Sequence, residues 1–306
     1  MRFAVSIPQF VADGGFDAAA FRAYVTRAEA LGFDSAWTQE QILGSTPILG
    51  PIETMAYAAA CTERLRLGCA VFVTPLHGPV ELAKSVSTLD QLSRGRIEVG
   101  VGTGAEGRMF SAFGVDPKTL IARFTEGLQL TRALWTERQV TFNGRFWQLE
   151  RAAMAPKPFQ KPCPPIWFGA NQPAALRRAT KLGDGFFGAG STTTARFAEQ
   201  VQFVREELAK AGRDVTRFRI AKRVYIAVDD DAERARQLVA TSLVQIYGPQ
   251  LGPRLLPVAI YGPPDECVRG LREVADAGAE LILFTPFVDQ AEQLERYAAE
   301  IVPQLS

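Results

Sequence analysis

A single histidine, His77, occurs in the 306 residues. One histidine cannot build the multi-histidine zinc centres common in barrel hydrolases, and it argues against a His–carboxylate cluster, so no metal is expected. The four cysteines, Cys61, Cys69, Cys163 and Cys267, form no C-x-x-C pair; the expectation is a reducing compartment without disulfides. Charge of either sign is scarcely in excess: 34 basic against 33 acidic residues, net +1, without the basic surplus that marks a nucleic-acid partner. No apolar run approaches the roughly 18 uncharged residues of a membrane span. Met1-Arg2-Phe3-Ala4-Val5-Ser6-Ile7 reads at once as a strand with no apolar leader before it, which sets the expectation of a cytoplasmic protein with no membrane partner. There is no G-x-S-x-G, no P-loop and no cysteine with a histidine nearby in sequence. With no persuasive nucleophile, the chemistry falls to a cofactor.

What is present is alternation. Short apolar strands are expected at 3–7, 35–37, 65–73, 96–101, 166–169, 186–187, 218–228 and 281–284. Amphipathic helices are expected at 17–31, 52–61, 79–92, 120–135, 173–182, 194–210, 231–245, 264–277 and 291–301. Eight strands alternating with helices in a chain of this length predict an α/β fold, a TIM (β/α)8 barrel with insertion loops, as one domain over 1–306; an open doubly wound sheet is the second choice. An insertion breaks the rhythm at 136–165. Within it, residues 140–147 read as a hairpin with Asn143-Gly144 in a type I′ turn, and the prolines from Pro156 to Pro165 require extended chain. Residues 248–262, with several Gly and Pro, read as a mobile loop.

In such a barrel the reactive groups lie on the loops after the strands. After strand two come Thr38-Gln39-Glu40-Gln41, two amides and a carboxylate able to hold a polar ring. After strand three comes His77, which can act as a general acid or base or simply start a helix. Gly102-Thr103-Gly104 and Glu106 follow strand four, where glycines let amides approach a flat ligand. Gly169-Ala170-Asn171 follow strand five. Gly190-Ser191-Thr192 open a helix after strand six and form the best phosphate-site candidate: free amides and the positive dipole end point outward.

On these residues the chain resembles the luciferase-like monooxygenase superfamily. The resemblance is carried by Gly32-Phe33-Asp34-Ser35-Ala36-Trp37, by Pro75-Leu76-His77-Gly78-Pro79, and by Asp90-Gln91-Leu92-Ser93-Arg94-Gly95-Arg96-Ile97-Glu98-Val99-Gly100-Val101-Gly102. It continues in Pro164-Pro165-Ile166-Trp167-Phe168-Gly169 and Gly183-Asp184-Gly185-Phe186, and it spans essentially the whole chain. The resemblance implies FMN or coenzyme F420, in reduced form, across the ends of strands two to four. It implies a non-prolyl cis peptide near Ala70-Val71, Trp37 and Gln39 beside the ring, and Gly102-Thr103-Gly104 flanking it. Gly169-Ala170-Asn171 and Gly190-Ser191-Thr192 would receive the ribityl phosphate, and the 248–262 segment would be a lid. Phe72, Trp37 and Phe110 are candidates to line an apolar substrate pocket.

There is one departure. Many F420-dependent members carry Asp-His after strand two, where this chain has Glu40-Gln41. Gln41 cannot serve as a general acid, and Glu40 or Glu106 can take that role only where burial raises its pKa. The resemblance implies an oxidoreductase that uses reduced FMN and O2 to oxygenate a small organic substrate. The alternatives are F420-dependent hydride transfer and a flavin-binding protein without catalysis. A separate flavin or F420 reductase and a homodimer are the expected partners.

Overall fold

A computed structural model describes residues 1–11, 15–104, 110–286 and 289–305. In chain order the elements are β1 (Arg2–Ser6), α1 (Ala18–Ala30), β2 (Ser35–Thr38), α2 (Pro51–Cys61), β3 (Arg66–Val73), α3 (Pro79–Leu92), β4 (Ile97–Gly102), α4 (Leu120–Thr136), β5 (Val140–Asn143) and β6 (Gln148–Ala152). They continue with β7 (Ile166–Gly169), α5 (Pro173–Leu182), β8 (Gly185–Gly188), α6 (Thr194–Lys210), β9 (Arg219–Val228), α7 (Ala232–Leu255), β10 (Ile260–Gly262), α8 (Pro264–Asp276), β11 (Leu281–Thr285) and α9 (Gln290–Arg296).

The strand order is β10-β9-β11-β1-β2-β3-β4-β7-β8, and β8 also pairs with β9. That last pairing closes eight strands on themselves, which is the TIM (β/α)8 barrel and excludes the open sheet. Neighbouring pairs such as β1–β11, β3–β4 and β8–β9 run parallel, each strand returning through a helix. Among the described residues no helix is long and apolar enough to cross a membrane.

The chain forms two compact units that interleave in sequence. The first holds Met1–Pro8, Phe16–Trp37 and Trp167–Ser306; the second holds Gln9–Gly15 and Thr38–Ile166. The core of the first unit is aromatic. Trp37 meets Phe187 at 4.9 Å between centroids and Trp167 edge-on at 6.0 Å, while Phe284 packs between Phe3 and Tyr297. Such rings bury large apolar areas, and the polar tip of each needs a partner: Trp37 Nε1 donates to Ser35 Oγ at 2.9 Å and the Tyr297 hydroxyl to the Ile226 carbonyl at 3.1 Å. In the second unit Trp135, on α4, donates to the Ala83 carbonyl of α3 at 2.9 Å and fastens the two helices together.

Local chemistry accounts for the element ends. Asp17 caps α1 by accepting from the amides of Ala19 and Ala20, both at 2.9 Å, and Gly32 follows the helix at φ +83°. Gly100 on β4 has a packing reason. The register of β3 against β4 shifts between Cys69 and Phe72, and a Cβ on Gly100 would stand 2.0 Å from the Cys69 carbonyl oxygen. Only glycine admits that carbonyl.

Two loop expectations are corrected. The hairpin is β5–β6, with Asn143 opposite Gln148 and the Gly144 amide on the Trp147 carbonyl at 2.9 Å, so the turn centres on Arg145-Phe146 and no type I′ turn forms at Asn143-Gly144. Glu126 on α4 overrides the local Asn-Gly preference: its carboxylate accepts the amides of Arg145, Phe146 and Trp147 at 2.9, 2.8 and 3.1 Å. Residues 248–262 are largely regular rather than a loop. Gly248, at φ +80°, kinks α7 and the helix resumes to Leu255, with Pro249 leading the resumed turns, where a missing amide costs nothing. Gly252 packs so closely on the Leu243 backbone that a Cβ would sit 2.7 Å from it, and β10 follows on the projecting end of β9. At the C-terminus the expected helix 291–301 is α9 followed by a π-turn, Tyr297–Ile301.

Candidate functional site

In the second unit, β3 ends at Val73 and a tight 3-10 turn, Thr74–Leu76, delivers His77. Pro75 presets that turn, and the His77 amide closes it on the Thr74 carbonyl at 3.1 Å. Glu40 lies in the loop after β2 with its side chain 1% exposed. One carboxylate oxygen accepts the Val73 amide at 2.6 Å, and the other lies 2.8 Å from His77 Nε2. An ionised carboxylate only accepts, so Nε2–H is the donor in this pair. Phe72 meets the imidazole edge-on, with centroids 6.1 Å apart. Glu40 and His77 were separate candidates in the sequence; the structure joins them into one carboxylate–imidazole pair.

The loop that carries Glu40 is clamped by Gln9, which is 2% exposed. Gln9 Oε1 accepts the Gln39 amide at 2.6 Å, and its Nε2 donates to the carbonyls of Gln39 and Leu49 at 3.1 and 2.9 Å. Thr38 Oγ1 adds a bond to the Gly68 carbonyl at 3.0 Å. Gln9 was not among the sequence candidates. Its signal was available: it follows β1, so the rule that selected the other loops also selects it. Gln41 turns aside, its amide lying so close to Gly44 that a Cβ there would overlap it. Cys69 is fully buried; burial above all, and then the Glu40 charge, push its thiol well up, so it is a packing residue and not a nucleophile.

The peptide between Ala70 and Val71 is cis, at the place the resemblance implied. Gly102 is buried, while Thr103 and Gly104 are half-buried; Gly104 turns at φ +77°. Glu106 lies outside the described residues. Trp37, at 1% exposure, and Phe72, at 0%, are core residues with no face open to a ligand, and Phe110 packs with Val73 and Val115. The apolar lining expected of these three is packing.

In the first unit, β7 leads to half-buried Gly169, buried Ala170 and exposed Asn171. Gln200 on α6 is 2% exposed and holds Asn171, donating to its Oδ1 at 2.6 Å and its carbonyl at 3.2 Å. Gln200 Oε1 is buried with no hydrogen-bond partner among the described residues. After β8 the chain passes Gly188 and Gly190 against aromatic rings: a Cβ on Gly190 would lie 2.7 Å from the Tyr225 ring. Thr193 caps α6 by accepting the Arg196 amide at 3.2 Å, and a helix start leaves its first amides without intrahelical acceptors. Thr192 is buried and Ser191 exposed.

Lys222 on β9 donates to the Ala189 carbonyl from beneath this loop. Burial, then the neighbouring Arg223 charge, push its ammonium down to about 7. Because C=O and N–H point opposite ways across a peptide plane, holding the Ala189 carbonyl turns the Gly190 amide away from Lys222. Amides, hydroxyls and a helix dipole are the donor set of a phosphate site. The orphaned Gln200 Oε1 beside Asn171 needs an O–H or N–H donor, which a ribityl chain carries. The residues present therefore fit a flavin-type cofactor.

Comparison with known proteins agrees. The family model described as luciferase-like monooxygenase matches residues 1–281. An F420-dependent glucose-6-phosphate dehydrogenase of Beutenbergia cavernae is 30% identical over 92% of this chain and 92% of its own length, and one of Kineococcus radiotolerans is 27% identical over 92% and 91%. Among solved structures, monooxygenase RslO1 from Streptomyces bottropensis superposes with a TM-score of 0.82 at 24% identity, covering all of both chains. An F420-dependent secondary alcohol dehydrogenase in complex with an F420-acetone adduct gives 0.86 at 18%, covering 100% of this chain and 99% of the other.

Proposed function

The chain belongs to the luciferase-like monooxygenase family, and from that premise we propose that it is an oxidoreductase that uses reduced FMN and O2 to oxygenate a small organic substrate, with Glu40 and His77 as its proton-handling pair. Reduced FMN, when bound, supplies two electrons, so that one oxygen atom goes to the substrate and the other leaves as water. The observation that carries the reading is the bond from His77 Nε2 to buried Glu40 at the ends of β2 and β3. An imidazole backed by a carboxylate can take or return a proton near neutral pH. This pair does the work for which Gln41 has no titratable proton. The opening of α6, with Lys222 beneath it, serves the cofactor phosphate, and Asn171 with Gln200 serves the ribityl chain. A separate reductase supplies the reduced flavin.

Hydride transfer with F420 is the second reading. Its support is the similarity to F420-dependent glucose-6-phosphate dehydrogenases at 27–30% identity over about 92% of the chain, and the Glu40–His77 pair could equally accept a hydroxyl proton as the hydride leaves. Oxygen uptake with reduced FMN across a panel of ketones, aldehydes and aromatics tests the first reading. Substrate-dependent uptake that His77→Gln abolishes supports it. Anaerobic F420 reduction by alcohols, with no oxygen uptake, replaces it with the second.

A further inference from the structure

A small cavity in the second unit has room of about 20 Å³ and is lined by residues that include Thr74, His77, Val101, Arg123, Phe124 and Trp147. Most of its wall is apolar, yet two of its lining residues carry orphaned polar atoms. Thr74 Oγ1 and Arg123 Nε are both buried with no hydrogen-bond partner among the described residues. A buried donor or acceptor left unmatched is costly and calls for an explanation. One water needs about 10–15 Å³ and two to four polar partners. The cavity offers that volume, a donor at Arg123 and a hydroxyl at Thr74. It also offers His77, whose Nε2 is committed to Glu40.

We propose that this cavity holds a structural water bonded to Arg123 Nε, Thr74 Oγ1 and His77 Nδ1, and that Arg123 and Thr74 are thereby positioning residues for the imidazole. The water accepts from Arg123 Nε–H and from the Thr74 hydroxyl, and donates one proton to the Nδ1 lone pair. That arrangement fixes the tautomer with the proton on Nε2, which is the tautomer the Glu40 bond requires. The charged groups facing the imidazole are then Glu40, from the loop after β2, and Arg123, from α4. Arg123 is itself held in place, its guanidinium lying 4.7 Å from the Trp147 ring centroid, and Trp147 is presented by the turn that Glu126 organises. The insertion hairpin thus acts on the His77 imidazole through Arg123. The functional meaning of this water rests on the role proposed for His77, but the water and the tautomer are testable without turnover.

His77 is the only histidine, so ¹⁵N labelling of histidine gives one pair of ring resonances and needs no assignment. In the full-length resting protein the expected pattern is a protonated Nε2 and a hydrogen-bonded, unprotonated Nδ1. Thr74→Val and Arg123→Met should each move the Nδ1 resonance to that of a ring nitrogen without a donor and leave Nε2 protonated. Arg123→Lys, which keeps the charge but lacks the Nε–H, should do the same, and melting curves report whether each variant folds. Should the arginine variants fail to fold, Thr74→Val decides alone. A high-resolution crystal structure should show the water on its three partners. A proton on Nδ1, an Nδ1 resonance unmoved by Thr74→Val, or a dry cavity overturns the proposal. If His77→Gln retains full turnover while the resonances behave as described, it is the catalytic reading of His77 that fails and not the water.

Discussion

Replacing Glu40 by glutamine is the sharpest perturbation, because it changes one atom and two hydrogen bonds. The carboxylate is 1% exposed and accepts from both the Val73 amide and His77 Nε2. An amide has only one accepting oxygen. If that oxygen faces Val73, the new NH₂ faces His77 Nε2, and the imidazole must move its proton to Nδ1 to accept. If it faces His77, two donors collide at Val73. In either case a charge-assisted bond is exchanged for a neutral or broken one, a loss of roughly 1–3 kcal/mol in stability. The effect on turnover should be larger. An imidazole whose proton has moved to Nδ1 has no lone pair there to take another, and general acid–base catalysis contributes typically about 10²–10⁴-fold. Urea denaturation would measure the first effect and kcat/KM the second, with Glu40→Asp as a control whose shorter side chain cannot span both partners. A Glu40→Gln protein within threefold of wild type in kcat/KM would refute the argument, whatever its stability.

Three further outcomes follow from the packing. Lys222, lowered to about 7 by burial, keeps its ordinary value of about 10.4 when unfolded. Between those pH values the unfolded chain binds more protons, so stability rises with pH across the window, by at most about 1.4 kcal/mol per unit, and the full penalty stands below it. Lys222→Met should remove this rise in denaturation midpoints measured from pH 7 to 10, and parallel curves for the two proteins would contradict the reading. Gly100→Ala would drive a Cβ to 2.0 Å from the Cys69 carbonyl and should cost about 3 kcal/mol or more in urea denaturation; a loss below 1 kcal/mol would show that β3 yields easily. Glu126→Ala removes the acceptor of three turn amides, so amide exchange at Arg145, Phe146 and Trp147 should quicken by about tenfold or more, and unchanged protection would show that the turn stands on its own.

Which features could be read from the sequence depended on how local their causes are. The helices 173–182 and 194–210 coincide with α5 and α6, because proline and a capping threonine mark their starts. The eight barrel strands were legible because buried parallel strands are short apolar runs. The hairpin turn was misplaced because its determinant, Glu126, lies on another element and defeats the Asn143-Gly144 preference. The 248–262 segment was misread because proline suggests a loop until one sees that Gly248 breaks the helix immediately before Pro249. Glu40 and His77 were each selected by position, but their bond joins residues 37 apart on different loops, and no periodicity encodes it. Trp37 shows the opposite error. A tryptophan at a strand end next to polar residues suggests a ligand wall, yet its neighbours are Trp167 and Phe187, far along the chain, and they bury it.

The most direct test of the account is equilibrium binding of reduced FMN and of reduced F420 to the purified protein under anaerobic conditions, followed by calorimetry because Trp37 is too deeply buried to serve as an optical reporter of ring contact. Micromolar or tighter binding of reduced FMN, weaker binding of F420, and loss of affinity in a Ser191→Asp variant that puts negative charge at the exposed opening of α6 are the predicted results. Failure to bind either cofactor at micromolar concentration would contradict the cofactor site itself and, with it, the role given to Glu40 and His77.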